Sequence, residues 1–239
     1  MTAPEPAADA KRVLVLAAHP DDVDFGAAGT IATWIDAGVA VSYRIATSGE
    51  AGGFDDTPRH LMPELRQAEQ KAAAAEVGVK DIAFLGYPDG RVQVTLELRR
   101  DIAREIRLLR PDRVLLPSPE RNWSRLPASH PDHMAVGEAA MCAVYPDARN
   151  PFAFPELADL PPWSVPEVWV MGSEHNTVYV DITDTFERKL AALRAHVSQT
   201  ARLLDLAGLI RERALATARA GGLSEGRLAE AFRIVRIPV

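Results

Sequence analysis

From Ala18 to Gly26 the chain reads Ala18-His19-Pro20-Asp21-Asp22-Val23-Asp24-Phe25-Gly26, which places one imidazole and three carboxylates within six residues. Carboxylates so close together repel one another, and each tends to take up a proton unless a cation sits among them. A His beside Asp is a donor set suited to zinc or a similar ion. A plain turn is the competing reading, with Asp21 or Asp22 capping a following helix through its side-chain oxygen. About 110 residues further on comes Ser129-His130-Pro131-Asp132-His133-Met134. Pro131 suits the first turn of a helix, so His130 and His133, three apart, would project from adjacent faces at its positive end. A neutral imidazole is favoured there, and a metal ligand must be neutral. Taken alone, this pair is equally well explained as exposed polar residues or a satisfied core histidine. Taken with the first cluster it points to a shared metal site, provided the fold brings the two segments together.

The elements that would position them follow from hydrophobic pattern. Arg12–Ala18 is a continuous Val/Leu run, as in a strand buried on both faces. A polar turn over HPDDVDFG precedes a helical stretch, Ala27–Ala37, closed by Gly38. Strand Val39–Ala46 leads into the loop SGEAGGFDD, helix Pro63–Val77 stops at Gly78, and strand Ile82–Leu85 follows. Leu96–Leu109 repeats the helix pattern before Pro111, and Arg113–Leu116 is another buried strand. Regular strand–helix succession predicts a Rossmann-like α/β fold, a mostly parallel sheet with helices on both faces. Both clusters then fall in loops after strands, where open parallel sheets bind ligands. Beyond Pro117 lie a long loop, PSPERNWSRLPAS, and a stretch with five prolines between Asn150 and Pro166, which suggests protomer contacts and a homo-oligomer. Val168–Met171 and Val178–Asp181 read as further strands and Thr183–Arg219 as mostly helical. One domain over residues 11–239 is expected after a frayed leader at residues 1–10.

Composition narrows the function classes. The 239 residues carry 27 Lys+Arg against 33 Asp+Glu, a net charge of −6, with no basic block to meet a phosphate backbone, so nucleic acid is not expected as a partner. The longest apolar run, Ala139–Tyr145, is far short of a membrane span, and the acidic Pro/Ala-rich start is no signal peptide; a cytoplasmic protein is expected. The single Cys142 rules out a multi-thiolate zinc site, leaving His and carboxylate as ligands. No G-x-G-x-x-G follows the first strand, which argues against dinucleotide binding.

The runs AAHPDDVDFGAAGT, TSGEAGG, LRQAEQKAAAAEVGV, GYPDG, SHPDHMAVGEAA and YVDIT, in that order across roughly residues 12–196, resemble the LmbE/PIG-L family of metal-dependent de-N-acetylases. The resemblance implies a Zn2+ ion, with Fe2+ or Mn2+ as alternatives, held by His19, Asp22 and His133. It implies Asp21 as general base, His130 as the histidine that stabilises the charged intermediate, and hydrolysis of an N-acetylglucosamine-type conjugate. Three ligands leave a coordination position open for water, as in catalytic zinc. His130 could then act as a cationic donor near the developing oxyanion, with Asp132 orienting it. Glu50, in the loop after the second strand, Arg66, at the start of the next helix, and Asp89, after the third strand, match positions that meet sugar hydroxyls or an anionic group in the family. Each also has a local explanation: a solvated acid, an i, i+3 pair of Arg66 with Glu69, and a common Asp-Gly turn. His175 could reach the site from a late loop. His60 and His196 have no partner in sequence and are expected to face solvent. Val23 stands where relatives acting on thiol-linked sugars carry Glu, and the basic, aromatic loop Arg121–Arg125 should shape the substrate pocket. The acceptor therefore stays open, with two alternatives: an amidase of a sugar-thiol conjugate and an inactive sugar-binding module.

Overall fold

The computed structural model describes residues 10–53 and 56–238, so the expected leader lies outside the described residues apart from Ala10. Strand β1, Arg12–Ala17, is buried on both faces as its unbroken apolar run requires. Val13, Val15 and Ala17 enter one core, while Leu14 and Leu16 enter the other. The remaining strands are β2 (Ala40–Ile45), β3 (Asp81–Phe84), β4 (Arg113–Pro117), β5 (Glu167–Met171), β6 (Val178–Asp181) and β7 (Ala229–Arg236). They form one sheet in the order β3-β2-β1-β4-β5-β7-β6. β1 to β5 pair in parallel, with Val13 opposite Val41 on one side and Arg113 on the other. β7 runs antiparallel to both β5 and β6, so β6 points the same way as β1.

The helices are α1 (Asp22–Gly26), α2 (Ala28–Asp36), α3 (Met62–Val77), α4 (Leu96–Leu109), α5 (Pro131–Cys142), α6 (Phe186–Ala195), α7 (Val197–Thr200) and α8 (Leu206–Ala220). α2, α3 and α6 cover the Val13/Val15 face of the sheet; α4 and α5 cover the Leu14/Leu16 face. α4 shows why. Leu98, Ile102 and Ile106 recur every four residues and are fully buried, each contributing roughly 1.5–3 kcal/mol of apolar transfer. Thr95 caps the helix by accepting from the Leu98 amide at 3.2 Å.

The strand order reverses between β1 and β4, which opens a crevice at their carboxyl ends. His19–Asp24 leaves the end of β1, and α5 begins beyond the end of β4. α5 lies close against that end, since a Cβ on Gly137 would stand 2.3 Å from the Pro117 carbonyl oxygen. Glycine at 137 is what allows this approach.

Two differences from the sequence expectations bear on the site. The HPDDVDFG segment is not an open polar turn: Asp22 already starts α1, and the backbone breaks only at Ala27, φ −148°. β7 was not foreseen, although Phe232 and Ile234 on one face and Val235 on the other carry the alternation of a strand.

Candidate metal centre

Side chains from the two clusters meet in the crevice. His133 Nε2 lies 2.9 Å from Asp22 Oδ1, His19 Nδ1 lies 3.3 Å from His133 Nε2, and His19 Nδ1 lies 3.5 Å from Asp22 Oδ2. Donors around a tetrahedral ion at 2.0–2.1 Å are about 3.3 Å apart, so this spacing fits. The outward nitrogens decide the tautomers. His19 Nε2 faces Asp89 Oδ1 at 3.0 Å and Asp132 Oδ2 at 3.1 Å, and His133 Nδ1 faces the Ala128 carbonyl oxygen at 3.3 Å. With its proton on that outer nitrogen, each ring would turn a lone pair inward to an ion bound between them. Asp22 is held in place because its Oδ2 also accepts from the amides of Ala18 and His19, at 3.1 and 2.8 Å.

The electrostatics favour positive charge at this point. Burial works against a charged His19, yet Asp22, Asp132 and Asp89 outweigh it and push the imidazole up to about 12. Burial likewise opposes an ionised Asp22, but His133 and His19 hold it well below the usual carboxylate range. Two other sets of three groups have ligand atoms within 4.8 Å of one another, His19/His130/His133 and His19/Asp89/Asp132. In the second, the carboxylates already accept from the amides of Ala51, Gly90 and Val92. In the first, His130 Nδ1 accepts from the Asp132 amide at 3.2 Å. His19, Asp22 and His133 form a further candidate set, with the close spacing given above.

Asp21, directly before α1, adopts the left-handed conformation at φ 89°, uncommon for a residue with a Cβ and costly unless its surroundings enforce it. They do so from two sides. The Asp21 amide donates to Gln70 Oε1 at 2.9 Å, and Arg66 Nη2 donates to Asp21 Oδ2 at 3.2 Å. Burial and the neighbouring Asp22 charge push the Asp21 carboxyl up to about 6, against Arg66, His196 and His19. Gln70 is fixed in turn: its Nε2 donates to Asp24 Oδ2 at 2.9 Å, and His196 Nε2 meets the same oxygen at 2.8 Å. His196, expected in solvent, is thus wholly buried on Asp24. That hydrogen bond raises its pKa although burial lowers it.

The residues expected to meet a sugar are mostly spent on the protein itself. Arg66 is buried; besides Asp21 it donates to the carbonyls of Pro20 and Gly49 at 2.7 and 2.9 Å, and its expected i, i+3 partner Glu69 instead accepts from Ser198. A Cβ on Gly49, φ +69°, would collide with the Arg66 guanidinium. Asp89 stands behind His19, whose hydrogen bond holds its carboxyl at about 2 against burial. Glu50 Oε1 accepts from the Asp89 amide at 2.8 Å. His175 is exposed and its amide donates to Ser173 Oγ, while His60 is exposed as expected. The Asp132 carboxylate lies against His19 rather than His130. His130 accepts the Asp132 amide at Nδ1, an arrangement that favours a neutral ring with its proton on Nε2 over a cation. Burial and the neighbouring His19 both lower its pKa.

A cavity of about 460 Å³ opens beside Asp22 and His133, within the size range of small-molecule sites. Asn122, Arg125, Ser173, Asn176 and Arg213 contribute to its wall. The loop Arg121–Arg125 was expected there; Arg213, on α8, carried no sequence signal.

Comparison with known proteins identifies the family. Over residues 14–144 the chain matches the family model described as GlcNAc-PI de-N-acetylase, PIG-L. It is 37% identical over 198 residues to diacetylchitobiose deacetylase of Thermococcus kodakarensis, covering 82% of this chain and 72% of that one. To the probable N-acetyl-alpha-D-glucosaminyl L-malate deacetylase 2 of Bacillus cereus it is 32% identical over 201 residues, 82% and 86% of the two chains. The crystal structure of N,N'-diacetylchitobiose deacetylase from Pyrococcus horikoshii, in complex with its inhibitor MPG, superposes with a TM-score of 0.89 at 32% identity, covering 98% of this chain and 87% of that one. The chain belongs to the PIG-L (LmbE-like) family of de-N-acetylases.

Proposed function

We propose that this chain is a zinc-dependent amide hydrolase that removes the acetyl group from an N-acetylglucosamine-type conjugate. The observation that carries the reading is the convergence of His19 Nδ1, Asp22 and His133 Nε2 within 2.9–3.5 Å, with the outer nitrogen of both rings facing a hydrogen-bond acceptor. The relatives named above as deacetylases of diacetylchitobiose and of a glucosaminyl malate support the substrate class. A divalent ion held by these three residues would lower the pKa of water and polarise the amide carbonyl.

The rest is the work of the chain. Asp21, half-buried and held in place by Arg66 and Gln70, accepts the proton of the attacking water. His130 Nε2–H donates to the oxygen on which negative charge develops as the carbon becomes tetrahedral. Asp21 then returns the proton to the amide nitrogen, the C–N bond breaks, and acetate and the free amine result. We extend the proposal to a homo-oligomer, supported by Trp123, Tyr145 and Phe152, which are 80%, 60% and 90% exposed on the isolated chain.

The test is acetate release from N,N'-diacetylchitobiose and from an N-acetylglucosaminyl malate by zinc-loaded protein, with His19→Ala as control. We expect turnover by the wild type, and neither turnover nor stoichiometric zinc in the variant. A fully zinc-loaded His19→Ala protein would refute the ligand assignment.

A further inference from the structure

The cavity beside Asp22 and His133 carries an unbalanced charge. Arg125 and Arg213 both line it. Neither guanidinium has a carboxylate or hydrogen-bonding partner among the described residues. The carboxylates in the same wall are already engaged. Asp22 belongs to the metal-ligand set, and Glu230 takes Lys189 Nζ at 2.6 Å together with the amides of Gly29 and Thr30. Lys189 is closed off as well, donating to the carbonyls of Asp24 and Phe25.

Both arginines are exposed, and the backbone that carries each is held in place. Asn122 pins the Arg125 loop to the end of β5: its Oδ1 accepts from the Arg125 amide at 2.7 Å and its Nδ2 donates to the Gly172 carbonyl at 3.2 Å. Arg213 stands on α8, whose Ile210 and Ala214 are buried in the core. The two guanidinia act on one another: partial desolvation at the cavity mouth and then the Arg213 charge lower the Arg125 pKa. Two like charges on rigid supports in one cavity are stabilised by an anion between them, and the guanidinium fork matches the oxygens of carboxylate and phosphate.

The geometry points to a subsite in which Arg125 and Arg213 bind an anionic group, carboxylate or phosphate, on the aglycone of the sugar whose acetyl is removed. The inference rests on the proposed de-N-acetylase reading and narrows it: the favoured substrate is a charged glucosaminide rather than a neutral oligosaccharide.

The zinc-loaded enzyme is assayed on N,N'-diacetylchitobiose, an N-acetylglucosaminyl malate and N-acetylglucosamine 1-phosphate. We expect kcat/KM for one of the two charged substrates to exceed that for the neutral one at least about tenfold, with KM rising in high salt. Which charged substrate wins separates carboxylate from phosphate. Arg125→Ala and Arg213→Ala should each lower kcat/KM for it about 10- to 100-fold through KM, the scale of a charge-assisted hydrogen bond. The loss on the neutral substrate should be at least about tenfold smaller, and Arg213→Lys should recover part of the affinity. Equal turnover of neutral and charged substrates with equal losses in the variants overturns the inference. Calorimetric titration of L-malate and of inorganic phosphate into wild-type and doubly substituted zinc-loaded protein tests it independently of turnover. Unchanged affinity overturns the subsite. Affinity lost in the double variant, without hydrolysis of any glucosaminide, upholds the subsite and sinks the de-N-acetylase reading.

Discussion

Replacing Asp21 by Asn separates the base from the metal more cleanly than any other substitution at the site. The position sits at φ 89°, where Asn is among the few residues tolerated, so the backbone has no new reason to move. The amide of residue 21 keeps its bond to Gln70 Oε1, and Arg66 keeps the carbonyls of Pro20 and Gly49. Only the carboxylate opposite Arg66 Nη2 is lost. Because that carboxylate is half-buried beside Asp22, removing its charge also removes a repulsion, and the two effects oppose one another in stability. The melting temperature should therefore shift by only a few degrees, the response to about 1 kcal/mol in a domain of this size. Activity should fall about 10²- to 10⁴-fold, roughly 2.7–5.5 kcal/mol of lost transition-state stabilisation, the range for general acid–base groups. Elemental analysis should still find one ion per chain, since His19, Asp22 and His133 are untouched. A companion variant, Asp21→Gly, relieves the left-handed strain and should be at least as stable while equally slow. Acetate release by metal-loaded Asp21→Asn within about threefold of wild type would remove Asp21 from the role of base.

The remaining predictions concern what stands behind the site. Asp132→Asn leaves His19 Nε2 with a weaker acceptor and should lower metal affinity about 10- to 100-fold in competition with a chelator, whereas unchanged affinity would show that Asp89 alone sets the tautomer. Gln70→Leu strips the Asp21 amide and Asp24 of their buried partner, which should cost about 1–3 kcal/mol in denaturant unfolding and lower kcat with metal content intact; a stable, fully active variant would sink the idea that Gln70 holds Asp21.

What the sequence disclosed and what it withheld divide along physical lines. The β1 to β5 order of elements and the two segments that meet at the candidate site were legible because each signal is local: an unbroken apolar run, a helix stop at glycine, a proline at the first turn of α5. The partners of those donors were not. Asp24 and His196 stand 172 residues apart, and nothing near either residue says that they touch. Arg66 pairs with Glu69 on i, i+3 spacing alone, yet it is consumed by the carbonyls of two loops brought beside it only in the folded chain. Arg213 enters the cavity because α8 follows β6 and packs beside β7.

The three carboxylates of the first cluster, which together suggested a cation, divide their labour by helix geometry. Successive residues at the start of α1 turn by about 100° each, so Asp21, Asp22 and Asp24 cannot all face one ion. Asp21 precedes the helix and points to Arg66; Asp22, its first residue, points to His19 and His133; Asp24, two further on, points into the core at Gln70 and His196. The repulsion that made the cluster costly is met by three different partners: a guanidinium, the site suited to a metal ion, and a buried imidazole with an amide. That division explains why acids so close in sequence are tolerated. It also explains why Gln70, joined to both Asp21 and Asp24, ties the core to the proposed base and leaves the metal ligands to stand apart.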